Sequence, residues 1–156
     1  MSFIANPPDP ASPEGANING DGFFPDIDFN NMRDAMRVGT NVPDKRLVGI
    51  LQNAWNHIAD QLWLWRIDQE EKGHEKISDV NGRKIGEQNR LEFLFIRAVQ
   101  YSAEAEIYDS YNDISATGKN EDLSETKRMS ADDYRRNAIH TVRDITGQRR
   151  TMVGLV

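Results

Sequence analysis

No cysteine occurs in the 156 residues. A disulfide framework and thiolate metal or redox sites are therefore closed to this chain, and assembly in a reducing compartment is expected. Long apolar runs are missing as well. None approaches the roughly 20 residues that span a bilayer, and the opening residues carry neither the basic stretch nor the apolar core of a secretion signal. The expectation is a soluble, unsecreted protein that does not meet a membrane. Histidine is scarce: the pairs His57/Asp60 and His140/Asp144 stand one helical turn apart, but neither belongs to an HExxH or two-histidine pattern. A glycine-rich phosphate loop, a GxSxG elbow and a cysteine nucleophile are absent. No catalytic residue, metal ligand or cofactor is assigned, and the carboxylate pairs Glu104/Glu106 and Asp132/Asp133 read as solvated helix faces or caps.

Positive charge is also in deficit, with a net charge of −6. The deficit is uneven. Residues 1–42 carry six acidic and two basic groups, giving −4, whereas residues 129–156 carry three acidic and five basic groups, giving +2. A chain that grips naked duplex is usually basic overall, so generic DNA binding is disfavoured, although an acidic shell that touches DNA without gripping it stays open. The cluster Arg135, Arg136, Arg143, Arg149 and Arg150 reads first as a solvated face paired with nearby acids. The second reading points Arg135, Arg136, Arg149 and Arg150 into a DNA-bearing channel or at an acidic partner.

What the sequence does contain is helical periodicity. Leu47, Ile50, Leu51, Ala54, Ile58, Leu62 and Trp65 recur at three- and four-residue spacing, which predicts one amphipathic helix from Pro43 to Lys72 ended by Gly73. Trp63 lies roughly 200° around that helix from Trp65 and cannot share its buried stripe. It is expected at the surface or at an interface, with cover from the N-terminal segment as the alternative. Asp28 predicts the N-cap of a short helix over 29–37, closed by Gly39. Asn81-Gly82 suggests a small hairpin over 76–86. A second long helix over 87–111 carries Leu91, Leu94, Phe95, Ala98, Ser102, Ala105 and Tyr108 on one stripe, and is expected to pair with the first. Residues 112–129 read as an exposed loop. Ser130 and the two aspartates after it predict the start of a last helix, with Tyr134, Ala138, Thr141, Val142 and Ile145 facing inward and Gly147 closing it.

The two ends differ from this middle. Five of the six prolines fall within the first 28 residues, at 7, 8, 10, 13 and 25, which precludes a continuous helix there. Inside that stretch Phe3-Ile4 and Phe23-Phe24-Pro25-Asp26-Ile27-Asp28 are apolar islands. Either Phe23, Phe24 and Ile27 fold back onto this chain's own core, or the segment is an arm lying along a neighbour. At the other end Thr151, Met152, Val153, Gly154, Leu155 and Val156 alternate like a strand without a partner strand nearby. The fold class expected is all-α: a small bundle of about four helices over 28–147, an extended arm over 1–27 and a strand-capable tail over 148–156.

The opening SFIANPP, the block GFFPDIDFNNMRDAMR at 22–37 and the ending SADDYRRNAIHTVRDITGQRRTMVGLV at 130–156 resemble the head completion/stabilisation protein family (GPL) of temperate contractile-tailed phages. Val42 stands before Pro43 where a Ser or Thr cap is expected. The resemblance implies a non-enzymatic virion component of the connector (adaptor) class, assembled in the host cytoplasm and placed at the head–tail neck. Its implied partners are the portal protein ring, other copies of itself in a dodecameric ring, a tail-side neck or terminator protein, and packaged DNA passing through without sequence specificity. It further implies portal docking by 151–156 and neighbour or portal contact by the 23–28 block. A tail-terminator or head-decoration protein is the alternative within the same virion. An enzyme would need a metal-binding acid cluster that the sequence does not offer.

Overall fold

Local sequence chemistry fixes the helix ends, and the ends set the frame. The computed structural model describes residues 17–39, 42–115 and 129–148, without the side chains of 111–115. Ser130 caps α6 (Ala131–Thr146) in a reciprocal box: its hydroxyl accepts from the Asp133 amide, and the Asp133 carboxylate accepts from the Ser130 amide. Gly147, with φ at +74°, closes the same helix in the left-handed conformation that glycine adopts without a Cβ clash. Asp28 caps α1 (Phe29–Ala35) by accepting from the Asn31 amide at 2.9 Å. Gly39 is not what ends α1. Arg37 turns left-handed at φ +53°, and the chain leaves the helix there.

The predicted helix over 43–72 is two helices, α2 (Asp44–Gln61) and α3 (Trp63–Glu71). Leu62 breaks them, with φ −96° and ψ 2°, its amide shared between the Ile58 and Ala59 carbonyls. Leu62 is fully buried, so the register shifts around a side chain that stays in the core. Pro43 provides no side-chain cap for α2. Instead the Arg33 guanidinium reaches the Gly39 and Val42 carbonyls and the Asp44 carboxylate, tying α1 to the start of α2.

A short α4 (Ile77–Val80) follows, and then a hairpin of β3 (Lys84–Ile85) and β4 (Gln88–Asn89), paired antiparallel with Lys84 opposite Asn89. The expected hairpin therefore exists but sits later in the chain. Its turn uses Gly86, at φ +61°, rather than Asn81-Gly82. Asn81 and Asn89 side chains serve the loop, Asn89 donating to the Ser78 and Asn81 carbonyls.

The second long helix, α5 (Arg90–Ser115), runs beyond the predicted end at 111 and takes in part of the expected loop. It packs most extensively on α6 and next on α2, the pairing expected from the two stripes. Leu91, Phe95, Ala98, Val99, Ala103, Ala105 and Ile107 are all buried. That is a broader surface than one stripe, as a helix covered on two sides requires. Ser102, predicted on the buried stripe, is half-exposed.

The larger correction concerns the N-terminal segment. Residues 17–27, expected within an extended arm, are part of the fold: β1 (Asn17–Ile18) pairs antiparallel with β2 (Ile27–Asp28). Phe23, Phe24 and Ile27 are buried in the chain's own core, so their side chains are not the neighbour contact that the arm reading assigned to them. Phe24 stacks on Phe95 with centroids 4.5 Å apart and planes 9° off parallel, and meets Trp55 edge-on at 6.1 Å. The Trp55 indole donates to the Pro25 carbonyl at 3.2 Å, and the Ile77 amide donates to the Phe23 carbonyl at 3.0 Å. Prolines stop a helix, but they do not stop aromatic side chains from finding a core. The turn is tight: a Cβ on Gly20 would sit 2.4 Å from the Phe24 carbonyl oxygen.

Truncating Phe95 removes the face on which Phe24 lies and opens a cavity where α2, α5 and the aromatic segment meet. Phe95→Ala is expected to lower unfolding stability by about 3–5 kcal/mol, read as a fall in the urea midpoint by circular dichroism.

Candidate functional site

Four surface features were candidates for contact or chemistry, and each is built by the elements that carry it. The first follows from the break at Leu62. Trp65 remains half-buried against Phe23, with centroids 6.3 Å apart, while Trp63 and Leu64 turn outward at 54 % and 79 % exposure. Trp63 thus lies where the sequence placed it, at the surface. The Arg66 guanidinium stands 5.8 Å from the Trp63 ring centroid and also covers Phe23 and Phe24, at 5.0 and 5.8 Å. It pairs with Asp21 and with Glu70. One guanidinium therefore clamps the aromatic segment to α3, combining cation–π contact with charge-assisted hydrogen bonds.

The second feature is a groove of about 790 Å³ over α5, walled by α2 and α6, with Ala54, Ser102, Ala105 and Ala138 among its lining residues. Ile139 stands 46 % exposed at its edge. His57, one of the histidines weighed for metal binding, lines the groove and shares a 2.8 Å hydrogen bond with Gln61. Among the described residues no group of three or more His, Cys, Asp or Glu side chains is placed to hold a metal ion.

The third feature is the arginine cluster. Arg135 pairs with Asp109 and Asp132, and Arg136 pairs with Asp133. The first sequence reading, a solvated face neutralised by its own acids, describes both side chains; Arg149 and Arg150 lie outside the described residues. So do Phe3, Ile4 and the whole of 151–156. Of the remaining arm residues, Pro25 is half-buried and Asp26 and Asp28 are exposed. Both aspartates serve the chain itself, Asp26 accepting from the Gly20 amide at 2.7 Å and Asp28 capping α1.

The fourth was missed by sequence reasoning. Glu104, expected on a solvated face, is 9 % exposed, and it lines a pocket of about 610 Å³ together with Tyr101, Tyr108 and Tyr134. Its Oε1 accepts from the Gln100 amide at 3.1 Å, and Gln100 in turn accepts from Arg97 at 3.0 Å. Its Oε2 has no hydrogen-bond partner among the described residues. Burial pushes the Glu104 carboxyl above the usual range, and the Gln100 hydrogen bond and the Arg97 charge pull it part of the way back. Tyr134 is pushed up to about 12, by burial first and then by Glu104 and the neighbouring phenols. The signal was present in the sequence: 97, 100, 101, 104 and 108 share one side of a helix. The hydrogen bonds of the network run along α5, and Tyr134 of α6 lies beside it in the same pocket.

Because the folded state holds the Glu104 proton more tightly than the unfolded chain does, the contribution of this group becomes less favourable as pH rises from the ordinary carboxyl range through the raised value. Glu104→Gln is therefore expected to match the parent near pH 4 and to become the more stable protein toward pH 8. Urea midpoints across that range check it, and a difference that does not change with pH counts against a buried charge.

Among the described residues no helix is long and apolar enough to cross a membrane. The family model described as phage head completion protein (GPL) matches residues 18–156. The head completion/stabilization protein of Escherichia phage P2 is 27 % identical over 149 residues, an alignment covering 96 % of this chain and 88 % of that protein. No solved structure matches the chain. The match takes in the buried aromatic segment, every described helix and the C-terminal residues, and the chain belongs to the phage head completion protein (GPL) family.

Proposed function

We propose that this chain closes the DNA-filled head as one subunit of an adaptor ring between portal and tail. Family membership makes it a structural phage head protein; the ring, its neighbours and its place at the neck are the proposal. The observation that carries it is the adjacent Trp63–Leu64 pair, the two most exposed large apolar side chains among the described residues. A tryptophan held open in water is costly for a monomer and is common where subunits meet. In this scheme the domain over 17–148 supplies the body of the ring. Residues 151–156 dock on the portal, giving up chain entropy offset by burial of Met152, Val153 and Leu155. Residues 1–16, with Phe3 and Ile4, reach an adjacent copy or the portal. The far face receives the tail-side protein, and packaged DNA passes through the opening without being read. Arg135 and Arg136 reach that DNA, or an acidic partner, only by giving up the acids that now hold them.

Deleting 151–156 is expected to leave the helical content unchanged and to abolish incorporation of the protein into DNA-filled heads, measured by quantitative blotting of purified particles. Sealed, infectious particles built with the shortened chain overturn the docking role. Co-purification with tail tube in preference to portal moves the protein to the tail-terminator class. Trp63→Ser, at an exposed site, is expected to keep the unfolding free energy within about 1 kcal/mol of the parent while lowering incorporation.

A further inference from the structure

Two oppositely charged surfaces on this domain match one another. On the hairpin, Lys84 opposite Asn89 and Ile85 opposite Gln88 set the register, and the Arg90 amide donates to the Arg83 carbonyl at 2.9 Å. Arg83 and Arg90 therefore face each other across the ribbon, a like-charge pair that is unfavourable by itself. The period of two puts Ile85 on their side, where it is 47 % exposed. Arg83, Lys84 and Arg90 have no ion pair among the described residues. With Glu87 the only acid, residues 81–90 carry three bases against one acid, a net +2.

The α3 region has the inverse make-up. Residues 60–72 carry four acids against two bases, a net −2. Arg66 and Lys72 are taken up by Glu70, Asp21 and Asp68, which leaves Asp60 and Glu71 without an ion pair among the described residues. Leu64, Asp68 and Glu71 fall at i, i+4 and i+7, one face of a helix, with Trp63 beside them. The C-terminal carbonyls of α3 add partial negative charge at the Glu71 end. From Leu64 to Glu71 is about 10 Å of helix rise, and Ile85 to Arg83 is about 7 Å of strand, a difference that a guanidinium side chain spans.

We propose that the β3–β4 hairpin of one copy docks on the α3 face of the next, with Ile85 against Trp63 and Leu64 and the hairpin arginines against the acids of α3. The contact presupposes self-association in the adaptor ring and names its two surfaces. They are different patches, so the contact is head-to-tail, the kind that closes into a ring when the rotation between copies allows and that a self-complementary dimer face cannot make.

The absence of cysteine makes the test clean. Particles are assembled with Ile85→Cys/Leu64→Cys, treated with a short bis-maleimide, and the chain is blotted after denaturing electrophoresis. A ladder beyond dimer from the double variant, with neither single variant crosslinking, is the expected result. A product that stops at dimer, dimers from either single variant, or no product from particles that hold many copies overturns the contact and leaves the ring standing. One copy per particle overturns the ring itself. In the double-cysteine chain, Arg83→Glu/Arg90→Glu is expected to reduce the ladder about tenfold, and Asp68→Lys/Glu71→Lys in the same chain is expected to restore it. Loss without restoration, with the helical spectrum intact and duplex DNA binding reduced, assigns the arginines to phosphate and overturns the protein–protein contact.

Discussion

The stack of Phe24 on Phe95 is the contact on which the rest of the architecture depends. It joins a proline-containing segment to the second turn of α5 and brings Trp55 of α2 edge-on to the same pair. Around it every exit is tied. The Phe23 carbonyl holds the start of α4, the Pro25 carbonyl holds the Trp55 indole, and Asp21 holds both phenylalanine amides while its other oxygen meets Arg66. An aromatic pair of this kind adds about 0.5–1.5 kcal/mol beyond the area it buries. The burial itself is the larger part, because without the segment Phe95, Trp55 and Trp65 all lose cover.

That arrangement explains where the sequence was informative and where it misled. Helix caps are local, so Asp28, Ser130 and Gly147 gave the termini away: a side-chain oxygen or a missing Cβ acts over one turn and needs no tertiary partner. Periodicity gave the buried stripe of α2 and the inner face of α6, because both helices bury one side. It failed at Leu62, where a buried leucine keeps the hydrophobic spacing intact while the backbone breaks, and it gave too narrow a face for α5, which is covered from two directions. The aromatic segment stood open between its own core, where Phe23, Phe24 and Ile27 lie, and a neighbour, for a compositional reason. Proline density lowers the helix signal and mimics a linker, whereas the signal that mattered was the pair of adjacent phenylalanines, whose partners lie about 30 to 70 residues away in sequence. Pairing at that separation is set by tertiary packing and leaves no local trace.

Glu104 shows the same limit for charge. A glutamate one turn from glutamine and tyrosine looks like a solvated helix face until a neighbouring helix covers it. Once α6 lies across, the carboxyl must keep its proton more readily or find a donor, and Gln100 supplies one. The hydrogen bonds of this network stay within α5, so its donor is kept whatever lies across it, and what the neighbouring helix adds is the burial.

The outer face carries the functional consequence. The proposed ring asks its copies to stay separate until assembly and then to hold together, and small patches such as Trp63 and Leu64 fit that demand better than one large apolar face. Contacts of a few side chains are weak one at a time. In the proposed ring, a template that lines copies up makes each new contact at high effective concentration. Charge at the edge of each patch then favours the right neighbour over the wrong one, because like charges meet in any other orientation. The net charge of −6 works in the same direction, keeping unassembled chains apart through a general repulsion that only the locally basic surfaces overcome.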